Sequence, residues 1–413
     1  MSRATPARNT GSALDLSGVG LPAAVESPPP CPPTPCPPAE LRSGVRRSTE
    51  RSAFRLRPTE RAGQVLSGRY CIEGFLARGG TADVFLAQDY VEDTLVVVKQ
   101  IRPEVASHPE LRERFVKEGH ATRAIQHPGV VRVLSVEDPR SERTSAHPVA
   151  DLGSEPGAES ASGDPSPADE PPFIILEALR GESLGDYLRR EGTVSIEQGL
   201  VLVRQAASAL AAVHAAGVVH RDVKPDNLFL VGAPEGPVSL KVLDFGMARF
   251  EDERDSADST SVLGTAQYMA PEQILVEPVD ARADIYGLGV VMFRMFAGHL
   301  PFEGKSPKEL LLHQLFSPLP PPSWLVEDLD PRLEAIILRA TRKHRENRFS
   351  SMDEVVAALD AILGLGPPVP SPPDPPIHPD TYRPQTPRGH QVVRHLATEF
   401  GPYAQLPSPI QSS

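Results

Sequence analysis

The feature that most constrains this chain is an eight-residue stretch, His220-Arg221-Asp222-Val223-Lys224-Pro225-Asp226-Asn227, set between the apolar runs Val218-Val219 and Leu228-Phe229-Leu230. It packs four charged residues, a histidine, a proline and an asparagine into eight positions. Proline removes a backbone donor and buried charges need partners, so this is neither helix interior nor central strand. A solvated surface loop rarely concentrates such chemistry between two core-forming runs. Two shorter segments follow it: Asp244-Phe245-Gly246, directly after Val242-Leu243, and Ala270-Pro271-Glu272 further on.

Upstream, Tyr70, Ile72, Phe75 and Leu76, then Val84, Phe85 and Leu86, read as two strands around a glycine turn. The turn is Leu76-Ala77-Arg78-Gly79-Gly80-Thr81-Ala82-Asp83-Val84. Small residues there let backbone N–H groups approach phosphate oxygens, although such turns also simply close hairpins. A third strand, Leu95–Val98, ends at Lys99. Glu118 lies on a helical stretch expected from about Pro109 to Ile125. In isolation the lysine reads as a strand terminus and the glutamate as a solvated helix charge.

Composition places these elements within the chain. The 46 prolines are about twice ordinary usage, and prolines at that density collect in linkers or disorder. Residues 1–62, rich in Pro, Ser and Arg, read as a disordered tail, as do the Pro-rich residues 366–413. The folded domain is expected at 69–364, interrupted by an acidic low-complexity block at 137–172. Val130–Val136 and Phe173–Leu176 are strand-like and can pair across that block, since loop-closure entropy grows only logarithmically with length. An interdomain linker is the alternative, and it requires an independent core on each side. From Ser183 the pattern turns helical: Ile196, Leu200, Val203, Ala207, Leu210 and Val213 form one apolar stripe. Ser351 and Glu354 are spaced as a capping box.

A net charge of −12 argues against a chain-wide nucleic-acid surface. Cys31, Cys36 and Cys71 make no disulfide framework, and no apolar run reaches membrane-spanning length. Met1–Thr10 lacks the apolar centre of a secretory signal, so a cytoplasmic setting is expected.

Taken in order, the glycine turn, the strand lysine, H-R-D-x-K-P-x-N, D-F-G and A-P-E resemble the signature of eukaryotic-type (Hanks-type) serine/threonine protein kinases. Gly264-Thr265-Ala266-Gln267-Tyr268-Met269 before Ala270 is similar to the bacterial branch. The resemblance implies an α+β, bilobal protein-kinase fold, with a small antiparallel β-rich lobe, a larger helical lobe and a hinge near 177–181. It implies that ATP, with Mg²⁺ or Mn²⁺, is used to phosphorylate Ser/Thr hydroxyls of protein substrates. By the same resemblance, Asp222 is the catalytic base and Lys224 steadies the γ-phosphate. Asn227 and Asp244 hold metal, while Lys99, held by Glu118, grips the α/β-phosphates. Residues 76–84 cover the phosphates, and Leu176 guards the back of the adenine pocket. The backbones of Glu177 and Leu179 meet adenine, with Val84 and Phe229 on its faces. Asp284 braces the catalytic loop and Arg348 pairs with Glu272.

Departures from the pattern are Ala77 and Ala82 for the first and third loop glycines, and Val97 where alanine is usual. They predict a stiffer loop and weaker ATP binding rather than its loss. Arg221 beside Asp222 suggests activation-loop phosphorylation, with Ser259 and Thr260 the candidate sites among Ser256, Ser259, Thr260 and Ser261. The alternatives are a pseudokinase scaffold that binds nucleotide or partners without transfer, and small-molecule phosphotransfer. Pro28–Pro38 and Pro367–Pro376 suit polyproline II, as spacers or as docking sites for a partner.

Overall fold

The computed structural model describes residues 54–139, 170–232, 238–244, 266–304, 306–367, 384–389 and 391–392. Cys31, Cys36 and Pro28–Pro38 lie outside them. The first part of the fold is one antiparallel sheet of β1 (Val65–Leu66), β2 (Tyr70–Arg78), β3 (Ala82–Asp89), β4 (Thr94–Ile101), β5 (Val133–Glu137) and β6 (Phe173–Glu177). The strand order is β1-β2-β3-β4-β6-β5. Side chains alternate across a strand, and β4 shows what that does. Val96 and Val98 face one way, into a cluster with Leu66, Tyr70, Phe85, Phe173 and Ile175. Ile101 faces the other way, against Val133, Ile174 and Phe115. Lys99 shares that second face, so its stem is buried (8% exposed) although it directly follows three valines.

Two helices, α1 (Pro103–Ala106) and α2 (Pro109–Arg123), cover the second face, each opening with proline at a first-turn position where its missing N–H forfeits no bond. Gly119 lets α2 lie close to the sheet: a Cβ there would stand 2.9 Å from Ile174 Cδ1. Strands β5 and β6 pair directly, from Val133 against Leu176 to Glu137 against Phe173. The acidic block therefore leaves and re-enters one sheet.

The second part begins with β7 (Gly181–Ser183), α3 (Leu184–Glu191) and α4 (Ile196–Ala215), followed by β8 (Leu228–Val231) and β9 (Ser239–Val242). β7, β8 and β9 form a small antiparallel sheet. Helices α5 (Pro271–Ile274), α6 (Arg282–Ala297), α7 (Pro307–Phe316), α8 (Pro331–Ala340) and α9 (Met352–Leu363) complete it. The predicted stripe of α4 supplies Leu210 and Val213 to a core shared with Phe293, Ile337 and Leu359. Ser183, Ser195, Ser306, Asp330 and Ser351 each cap a helix by accepting a backbone N–H, worth about 1 kcal/mol apiece. At α9 the capping box differs from expectation, because Glu354 accepts from the N–H of Ser350, not Ser351.

Two stretches assigned above to the tails lie against the domain instead. Arg57 and Phe75 exchange backbone hydrogen bonds at 2.9 and 3.1 Å, satisfying an otherwise open sheet edge. Residues 384–389 and 391–392 sit on the second part, beside α5.

Candidate functional site

The eight-residue loop between α4 and β8 is held from below by one carboxylate. Asp284, at the start of α6, accepts the backbone N–H groups of His220 (2.8 Å) and Arg221 (2.7 Å), and its Oδ2 also lies 2.7 Å from His214 Nε2. Arg221 sits at φ 64, a left-handed conformation that persists only where its surroundings enforce it. His220 is fully buried, and its Nε2 lies 2.8 Å from the carbonyl oxygen of Leu243. The Leu243 N–H in turn donates to Asn227 O at 2.8 Å. These two bonds fix Asp244, the next residue, relative to the loop. α6 comes close enough because Gly287 has no side chain; a Cβ would meet Val223 O at 3.0 Å.

Three predicted catalytic side chains converge here. Lys224 Nζ donates to Asp222 Oδ2 at 2.7 Å, and Asn227 Nδ2 donates to the same oxygen at 3.0 Å and to Asp222 O at 2.8 Å. Asp222 Oδ1 is buried and accepts no hydrogen bond among the described residues. From the sheet side, Lys99 Nζ reaches Asp244 Oδ1 at 2.6 Å, joining residues 145 apart in sequence. Asp244 also has a left-handed backbone, φ 45. Burial pushes its carboxyl pKa up, but the Lys99 ammonium, with His220 and Lys224 behind it, outweighs burial and holds it below the ordinary value.

One expectation is corrected. Among the described residues Lys99 pairs with Asp244, and Glu118 pairs with Arg114, one helical turn earlier at 3.1 Å. Lys99, Glu118 and Asp244 nonetheless line one cavity with Gly119, Thr122, Val131, Val133, Ile174 and Leu176. That cavity lies between α2 and β6, with Leu176 in its wall. Val84, Glu177, Leu179 and Phe229 are outside its lining; Val84 and Phe229 are half-buried on β3 and β8.

Residues 76–84 form the β2–β3 hairpin, closed by Gly79 N–H to Ala82 O at 2.8 Å. Arg78 and Asp83 fork across it at 2.9 and 3.1 Å. Phe245, Gly246, Ser256, Ser259, Thr260, Ser261 and Thr265 lie outside the described residues.

Sequence reasoning missed the tie behind Glu177. Its carboxylate accepts from Lys241 Nζ at 2.6 Å and from Arg132 N–H at 2.8 Å. Lys241 lies on β9, two residues before Leu243, and alternation with buried Leu240 and Val242 was the only hint that it faces elsewhere. The oxygens available for a cation, on Asp244 and Asn227, are hard donors; Asn227 spends its amide nitrogen on Asp222, which leaves its carbonyl as an acceptor.

The sequence profile described as "Protein kinase domain" matches residues 70–358. The chain is 33% identical over 304 residues to serine/threonine-protein kinase PknB of Mycobacterium leprae, covering 73% of this chain and 44% of that protein. It is 33% identical over 317 residues to PknA of Mycobacterium tuberculosis, covering 76% and 66%. The alignments thus span less than half the length of the PknB relatives. The crystal structure of the Mycobacterium tuberculosis PknI kinase domain superposes with a TM-score of 0.51 at 24% identity, covering 72% of this chain and 98% of that one. No described helix is long and apolar enough to cross a membrane. With the two-part fold, the braced loop and the Lys99–Asp244 junction in place, the chain belongs to the protein kinase family, and its bacterial relatives are of the Hanks type.

Proposed function

We propose that the chain transfers the γ-phosphoryl group of ATP to serine or threonine hydroxyls of proteins, in the cytoplasm. The observation that carries the reading is the meeting of Lys99 with Asp244, registered through Leu243 to the loop bearing Asp222, Lys224 and Asn227. Phosphoryl transfer asks the protein mainly to position reactants and neutralise charge, and this cluster offers both. Asp222 orients the acceptor hydroxyl and takes up its proton as the oxygen attacks. Lys224, already beside Asp222, faces the transferred group. Lys99 would serve the α/β-phosphates; Asp244 and Asn227 would hold a divalent cation, Mg²⁺ or Mn²⁺, which when bound would supply positive charge to offset that of the phosphates. The glycine turn 76–84 covers the phosphates, and the backbones of Glu177 and Leu179 meet adenine between Val84 and Phe229.

The ion pairs of Lys99 and Glu118 in this structure describe a resting arrangement. They also fit the second reading, a scaffold that binds nucleotide without transfer. Labelled phosphate from ATP·Mg²⁺ onto the chain itself or a generic basic protein, compared with Asp222→Asn, separates the two. Transfer by the wild type that the variant loses supports the kinase; equal background in both supports the scaffold.

A further inference from the structure

Residues 384–389 and 391–392, in the Pro-rich C-terminal part of the sequence, make a specific contact with the large lobe. The backbone N–H groups of Gln385 and Thr386 both donate to Glu277 Oε1, at 2.6 and 3.1 Å. Glu277 is buried (5% exposed). Thr386 Oγ1 accepts the N–H of Gly389 at 3.0 Å, folding a turn that carries Val392 onto Ile274, Leu275 and Leu315. Gly389 is required by the fit, since a Cβ there would stand 2.8 Å from Glu277 Oε1. Backbone donors on a buried carboxylate and an apolar anchor are two independent parts of one docking contact.

The face that receives this segment is joined to the reactive loop. Glu277 follows Val276, held at φ 56, a conformation β-branched residues rarely adopt. The Glu277 N–H donates to Glu272 O at 2.9 Å. One turn earlier on α5, Gln273 Nε2 donates to the carbonyl of Arg221 at 2.8 Å, next to Asp222. The apolar cluster under Val392 includes Met269, and α7 reaches the adjacent Gln267 carbonyl through Gln314. On the phosphoryl-transfer reading, a protein acceptor laid across residues 266–270 towards Asp222 would meet the docked segment at the α5–α7 face.

We propose that the α5–α7 face, with Glu277 at its centre, is a docking surface for this chain's own residues 384–392, and that the docked segment restrains protein acceptors from reaching Asp222. The chain itself is the occupant because its own segment is already seated on that face and follows α9 closely in the sequence. A short tether gives an effective concentration on the order of millimolar, enough to hold a contact too small to retain a free peptide. The same smallness lets a larger acceptor protein displace it. The restraint rests on the phosphoryl-transfer reading above; the docking does not.

The test uses the full chain and two variants, Gly389→Val and Val392→Asp, which alter the segment alone. Hydrogen exchange reads the docking. The amides of Gln385, Thr386 and Gly389 should exchange about tenfold more slowly in the wild type than in either variant. Equal exchange in all three proteins overturns the docking. Initial rates read the restraint: both variants should lower KM for a protein acceptor about three- to tenfold with KM for ATP unchanged. Slow wild-type exchange with identical acceptor KM in all three proteins refutes the restraint and leaves the docking standing. If no protein transfers phosphate, wild type included, the phosphoryl-transfer reading and the restraint fall together, while exchange still decides the docking.

Discussion

Arg348 and Glu272 meet in a two-bond fork, Nη1 to Oε1 at 2.6 Å and Nη2 to Oε2 at 2.8 Å, with neither side chain exposed to solvent. Arg348 also donates to the carbonyls of Arg342, Arg282 and Lys343. The pair therefore fastens the segment after α8 to the A-P-E residues and to the first turn of α6. Removing one partner leaves the other charge buried alone. Arg348→Met should cost about 3–5 kcal/mol of unfolding free energy, read as a lower urea midpoint with an unchanged slope. The double variant Arg348→Met/Glu272→Leu should recover part of that loss, since no buried charge then remains.

Asp284 holds the loop from behind. Its two oxygens serve the N–H groups of His220 and Arg221. Asp284→Asn keeps the size but turns a donor amide towards one of those donors. Misplacement of Asp222 by a fraction of an ångström should lower kcat about 10–100-fold with KM for ATP nearly constant. Steady-state kinetics at saturating acceptor checks it, and a rise in ATP KM alone would argue against a positioning role.

Lys99 joins the two parts of the fold through Asp244. Lys99→Met should reduce transfer about 100-fold or more while leaving the melting profile close to wild type. Lys99→Arg should not restore it, because the planar guanidinium does not replace a compact ammonium in a fitted pocket.

Chelating divalent cations should reduce transfer to background, and both Mg²⁺ and Mn²⁺ should restore it, as expected of oxygen donors on Asp244 and Asn227. Asn227→Ala should raise the Mg²⁺ concentration giving half-maximal rate about tenfold or more. A titration of rate against free Mg²⁺ is the measurement.

Acid should weaken the small lobe through Asp89. Its carboxylate accepts from Arg69 at 2.8 and 2.7 Å and from the N–H groups of Val91 and Glu92. Burial pushes its pKa up, but these bonds outweigh burial and leave it below the ordinary carboxylate value. A group with a depressed folded-state pKa stabilises fully above its unfolded value, about 3.9, and loses that contribution as pH falls through the folded one. The stability gap between wild type and Asp89→Asn should therefore be constant above about pH 5 and close towards pH 2. Thermal melts across that range check it, and a gap independent of pH would show that Asp89 contributes no ionised-state stabilisation.

His220–Asn227, Asp244 and Ala270–Glu272 were legible in the sequence because their chemistry is local: residue types a few positions apart in a short loop meet whatever surrounds them. The strands and the α4 stripe were legible for a similar reason, since periods of two and 3.6 follow from the backbone alone. What the sequence left open depends on contacts between distant residues. Lys241 and Glu177 are 64 residues apart, and Gln385 and Glu277 are 108 apart. A strand lysine or a loop glutamate has the same letters whether it is solvated or anchored. The partner of Lys99 shows the limit most sharply. Both Glu118 and Asp244 line the cavity it enters, and only the seating of α2 and the left-handed turn at Asp244 select the latter. Local spacing determines which groups are available, and the packing of whole elements determines which of them meet.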